Sequence, residues 1–89
     1  MKLSFNNHTK EIGFTNDALE VATNKLFVLA AQKTIPMWKV YDVEHIENIE
    51  NSYKRYDIAL YNTEDMSGDP VFKTAIEVYE NTIEIDLGE

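Results

Sequence analysis

Residues 2 to 14 alternate apolar and polar side chains in two short runs, Lys2-Leu3-Ser4-Phe5 and Glu11-Ile12-Gly13-Phe14, around Asn6, Asn7 and His8. Asn tolerates left-handed backbone, so this pattern predicts an N-terminal β-hairpin. A helical period follows. Thr15 or Asn16 supplies an N-cap, Asp17 and Glu20 place negative charge in the first turn, and Leu19, Ala22, Leu26, Leu29 and Lys33 recur at helical spacing, predicting one helix over about 16–33. It should stop before Pro36, which disfavours helix in the preceding residue. Its second half, Leu26 to Ala31, is apolar all round, so a further segment or a second subunit is expected to cover it.

From Met37 the period shortens to two. Met37 to Val43 is rich in aromatic and β-branched residues, and Tyr53 to Tyr61 sets Tyr56, Ile58 and Leu60 on one side against Arg55, Asp57 and Ala59 on the other. After the turn-forming run Thr63 to Pro70, a strand directs Phe72, Ile76 and Val78 inward and Lys73, Glu77 and Tyr79 outward. A turn near Glu80 and Asn81 leads to a last strand with Ile83, Ile85 and Leu87 inside and Glu84 and Asp86 outside. Residues 44 to 52 fit either a short helix, with Val43, Ile46 and Ile49 at spacing three, or an irregular extension of the preceding strand. The expected fold is α+β: an N-terminal hairpin, one helix, then a curved antiparallel sheet of three to four strands. The alternation does not give the strand order.

Length and composition set bounds on this picture. The 89 residues suit a single domain, 1–89, able to bury roughly two thirds of the surface of its extended chain. With no cysteine, disulfides, thiolate zinc sites, iron–sulfur ligation and cysteine nucleophiles are excluded. The longest uncharged apolar stretch, Leu26 to Ala31, is far short of the ~20 residues of a membrane span, and no apolar run follows Lys2. The expectation is a cytoplasmic protein with no membrane partner. Asn7-His8-Thr9 matches the glycosylation acceptor pattern but reads here as a turn.

Catalytic chemistry finds little support. His8 and His45 have no i,i+4 partner, Ser4, Ser52 and Ser67 lie in no nucleophile elbow, and Gly13, Gly68 and Gly88 are too dispersed to cradle a phosphate. The Glu64–Asp69 loop lacks calcium-loop spacing and reads as a polar turn between strands. The chain is therefore expected to be non-enzymatic, without metal or cofactor.

The distinctive quantity is a formal charge of −8, and it is unevenly placed. Residues 1–40 hold five lysines against Glu11, Asp17 and Glu20, whereas residues 41–89 hold three basic residues against thirteen acidic ones. Carboxylates on one face of a sheet repeat at about 6.8 Å along strands and 4.8 Å between them, a spacing able to compete with nucleic-acid phosphates for lysine and arginine. The candidates are Asp42, Glu44, Glu47, Glu50, Asp57, Glu77, Glu84 and Asp86. The same charge disfavours direct binding of nucleic acid. An acidic surplus also serves simple solubility. Tyr53, Tyr61 and Tyr79 fall on the outward side of their strands, which points either to self-association or a partner, or to residues 44–52 folding over them.

In size, in the acidic stretch from Asp42 to Glu89, in the three outward tyrosines and in its Asn-, Ile- and Lys-leaning composition, the chain resembles the small, acidic, cysteine-free proteins that lytic phages make early to disable host machinery. Several of these are DNA mimics, and a dimeric example occupies the DNA-binding surface of a histone-like nucleoid protein. The resemblance implies a homodimeric inhibitor whose carboxylates stand in for phosphates on a basic DNA-binding protein. The positive balance of residues 1–40 departs from a uniformly acidic mimic and implies one-sided binding. The alternative is an acidic interaction module, such as an immunity protein or a nuclease- or polymerase-blocking protein, that acts without mimicry.

Overall fold

The computed structural model describes residues 2–12, 16–50 and 52–88. The elements are β1 (Lys2–Asn6), α1 (Asn16–Ala31), β2 (Val40–Ile49), β3 (Tyr53–Tyr61), β4 (Phe72–Tyr79) and β5 (Thr82–Asp86). The fold is α+β, with the helix packed on an open antiparallel sheet of five strands in the order β1-β5-β4-β3-β2. Strands β2 to β5 form a meander of consecutive neighbours. β1 closes the far edge by pairing with β5, from Lys2 opposite Asp86 to Asn6 opposite Thr82.

This corrects two expectations. The sheet has five strands rather than three or four, and among the described residues β1 pairs with β5 and not with Glu11 or Ile12. Glu11 and Ile12 are outside any strand and exposed, while Gly13, Phe14 and the Thr15 cap lie outside the described residues. The physical reason is burial. Ile83 and Ile85 are fully buried, and β5 without β1 would be an edge strand leaving both at the rim of the sheet. Leu3 and Phe5 cover them and add five ladder pairs, which a local hairpin held by an exposed Ile12 would not match.

The helix lies where its period places it. Ala18, Ala22, Leu26, Leu29 and Ala30 are buried against Tyr56, Ile58, Leu60, Ile76, Val78, Ile83 and Ile85 of the sheet. The alanines in its first half, Ala18 and Ala22, are fully buried. The helix stops at Ala31, two residues before the expected end, because Lys33 adopts φ 62° and closes the last turn: Thr34 N–H donates to the Leu29 carbonyl (2.9 Å) and Lys33 N–H to that of Ala30 (3.0 Å). Of its apolar outer side, Phe27 stacks on Trp38 with centroids 4.4 Å apart, so the segment after the helix provides part of the cover, and Val28 stays exposed. At about 24 Å, α1 is long enough to carry the chain from the β1 edge to the β2 edge, roughly 19 Å away across the strands.

Residues 44 to 49 continue β2, so they extend the sheet edge and do not fold over the outward face. A β-bulge interrupts the register between Val43 and His45, leaving Glu44 out of the ladder. The Thr63–Pro70 run is a loop between β3 and β4, held by Ser67 N–H donating to Asp65 Oδ1 (3.1 Å) and by Met66 and Gly68 at positive φ. Among the described residues, no helix is long and apolar enough to cross a membrane.

Candidate protein-binding face

Strand alternation gives the sheet a second face, turned away from α1, and the register lays its residues in rows. One row runs Ser4, Glu84, Glu77, Arg55 and Glu47 across all five strands, and the next runs Lys2, Asp86, Ala75, Asp57 and His45. A third holds Lys73, Ala59 and Asp42. The bulge turns Glu44 to the same side, where its carboxylate lies 3.7 Å from Lys73 Nζ. Seven of the eight expected carboxylates therefore share this face: Asp42, Glu44, Glu47, Asp57, Glu77, Glu84 and Asp86. Glu50 does not. It occupies the β2–β3 turn at φ 44° and is exposed there.

Three cations are interleaved with them. Lys2 Nζ donates to Glu77 Oε1 at 2.9 Å, reaching over β5 from β1 to β4. Arg55 Nε lies 3.3 Å from Asp57 Oδ1, and the third pair is Lys73 with Glu44. Glu77 is only 4% exposed, so it is a structural carboxylate with little surface to offer a partner. Its hydrogen bond and charge hold the Lys2 ammonium above the usual range, with Glu84 and Asp86 adding to the effect. Asp42 and Glu47, on the outermost strand, are exposed. Glu84 and Asp86 are half-buried on β5, where Asp86 Oδ1 accepts from Gly88 N–H at 2.9 Å.

The three tyrosines lie on this face but do not form one stripe. Tyr53 and Tyr79 are opposite each other on β3 and β4 and stack, centroids 4.4 Å apart at 27°. Tyr61 sits at the other end of β3, opposite Val40, with Arg55, Asp57 and Ala59 between. Burial first, then the carboxylates of Glu77 and Glu84, push the Tyr79 phenol up to about 12. A depression of about 270 Å³ opens over Ala75, lined by Glu44, Arg55, Asp57, Lys73 and Asp86. Both signs of charge meet there, and among the described residues no His, Asp and Glu side chains gather in a way that could hold a metal ion.

Two roles escaped the sequence. Lys2 and Ser4 alternate with Leu3 and Phe5, so their outward side was legible, but the partner strand was not, and with it the Lys2–Glu77 tie. Asn7, expected in a turn, is buried and brackets two segments. Its Nδ2 donates to the carbonyls of Tyr79 (2.6 Å) and Glu11 (2.9 Å), and its Oδ1 accepts from Thr9 N–H and Oγ1. An Nδ2 engaged in this way is closed to glycosylation.

Compared with protein-family models, curated proteins and solved structures, the chain matches none.

Proposed function

We infer that this chain is a non-enzymatic, cytoplasmic inhibitor that uses its open sheet face to occupy the cationic, nucleic-acid-binding surface of a basic protein, a histone-like nucleoid protein being favoured. One observation supports the reading above others: seven carboxylates and three cations collected on a single face of a five-stranded sheet, opposite the helix. The hydrogen-bonded ladder fixes the spacing, so little ordering entropy is lost when a cationic surface docks.

Magnitudes define what kind of mimic this is. Three ion pairs leave a net of four negative charges over a face roughly 20–25 Å wide, about one per 6 Å, against one per ~1.7 Å along duplex DNA. The face is thus a dilute polyanion, and electrostatics steers the encounter more than it holds the complex. The stacked Tyr53–Tyr79 pair offers apolar area at one end, which favours a second reading in which the tyrosines anchor a blocking interface without mimicry.

Displacement decides between them. A purified histone-like nucleoid protein is loaded with a fluorescent duplex, and this chain is titrated in at low and at high salt. Release of the duplex at low salt, weakening by at least about tenfold as salt rises, is the expected result. Glu84→Lys with Asp86→Lys should abolish release, since both lie on the open face of β5, outside the three ion pairs and away from the β2 edge. Loss in Tyr53→Ala with little change in the charge variant favours the blocking interface. No release at low salt, or release indifferent to salt, overturns mimicry.

A further inference from the structure

Among the described residues β2 pairs with β3 alone, so its other edge is a ten-residue row of backbone groups open to a further strand. Edge strands are commonly kept short or blocked by lysine or proline. β2 contains neither and instead has a bulge and acidic residues. These devices forbid most pairings but permit one. We propose that two copies of this chain associate through antiparallel pairing of β2 with β2, centred on Ile46, joining their sheets into one of ten strands. The pairing stands independently of the function proposed above.

Residues opposite each other in an antiparallel pair share a face, so a two-fold axis through the ladder must set one residue against its own copy. Centring on Ile46 sets the exposed Ile46 side chains together on the helix side. On the open face His45 then meets Glu47 of the partner subunit, twice by symmetry. Beyond these, with the bulge skipping Glu44 as it does against β3, Val43 meets Asn48 and Asp42 meets Ile49. Within the ladder no carboxylate opposes a carboxylate, the bulge keeping Glu44 outside it. Centring on Glu47 would set Glu47 against its copy, and centring on Asn48 would oppose Ile46 with Glu50 and shorten the ladder. Like charges directly opposite destabilise, so the acids that guard this edge also select its register.

The axis is perpendicular to the sheet, so both open faces point the same way and the seven carboxylates and three cations double on one continuous surface. This also names the interface that the homodimer expectation left open.

The test uses sedimentation equilibrium and mild oxidation, with circular dichroism to show that each variant stays folded. The wild-type mass should move toward twice 10.3 kDa with rising concentration. Ile46→Asp and His45→Glu should each weaken dimerisation by about tenfold or more, and Glu47→Lys added to His45→Glu should restore most of it by reversing the pair. Since the chain has no cysteine, single-cysteine variants report the register directly. Ile46→Cys should form an intermolecular disulfide readily, and Asn48→Cys, well away from its own copy, should not. A protein monomeric at every concentration, a dimer indifferent to Ile46→Asp, or crosslinking at 48 in preference to 46 overturns the proposal. None of these outcomes bears on duplex displacement by the acidic face.

Discussion

Asn7 satisfies four polar atoms on three residues while itself 1% exposed, and it joins the end of β1 to the turn between β4 and β5. Its backbone N–H also donates to the Asn81 carbonyl at 2.9 Å, continuing the β1–β5 ladder. Removing the side chain leaves the Tyr79 carbonyl with one partner fewer, so Asn7→Ala should cost about 2 kcal/mol in denaturant unfolding. Asn7→Asp keeps the shape but turns both donations into carboxylate–carbonyl repulsion, and should cost at least as much at neutral pH. A loss within the scatter of ordinary surface variants for both would show that the bracket is incidental. The residue type suggested a turn, and the turn is there. That its amide is buried depends on Tyr79, distant in sequence, and no local pattern carries that contact.

At the scale of elements, what was legible follows from period. Ala18 to Ala30 repeats at helical spacing and β3 to β5 alternate, because each buries one face. The open-face placement of Asp57, Glu77, Glu84 and Asp86 followed from the same alternation. What stayed hidden depends on partners or on local defects: β1 pairs with the most distant strand, and the bulge at Glu44 broke the alternation that would have extended β2. Acid count did not separate Glu77, buried beneath Lys2, from Glu47, which faces water. The helix end offers a direct test. Lys33 holds a left-handed conformation that glycine adopts without the clash of a Cβ, and it is exposed. Lys33→Gly should therefore stabilise the fold by about 0.5 kcal/mol or more, read as a higher denaturant midpoint. A lower midpoint would mean that the lysine makes an interaction that outweighs the strain.

For the whole molecule, alkaline pH is the informative axis. Burial pushes the Tyr56 phenol up to about 12, and Tyr79 reaches about 12 through burial and its carboxylate neighbours. Unfolded, both ionise near 10. The folded state therefore binds protons that the unfolded chain releases, and stability present below pH 10 falls as pH rises toward 12. Lys2 acts in the same sense: its raised ammonium supports the fold below its ordinary 10.5 and ceases to above its folded value. Phenolate absorbance followed beside circular dichroism should show Tyr56 and Tyr79 ionising late, together with the loss of the fold, and Tyr56→Phe and Tyr79→Phe should each remove a share of that late signal. Absence of any late phenolate signal from Tyr56 and Tyr79 while the fold is intact would contradict their placement.

The pairing of β1 with β5 has a consequence for how the protein is made. β1 finds its mate only when residues 82 to 86 have been synthesised, so its ladder stays unformed while the helix and the β2–β3–β4 meander take shape. Closure of the sheet waits until residues 82 to 86 are free to pair, because β5 is the strand that joins β1 to β4.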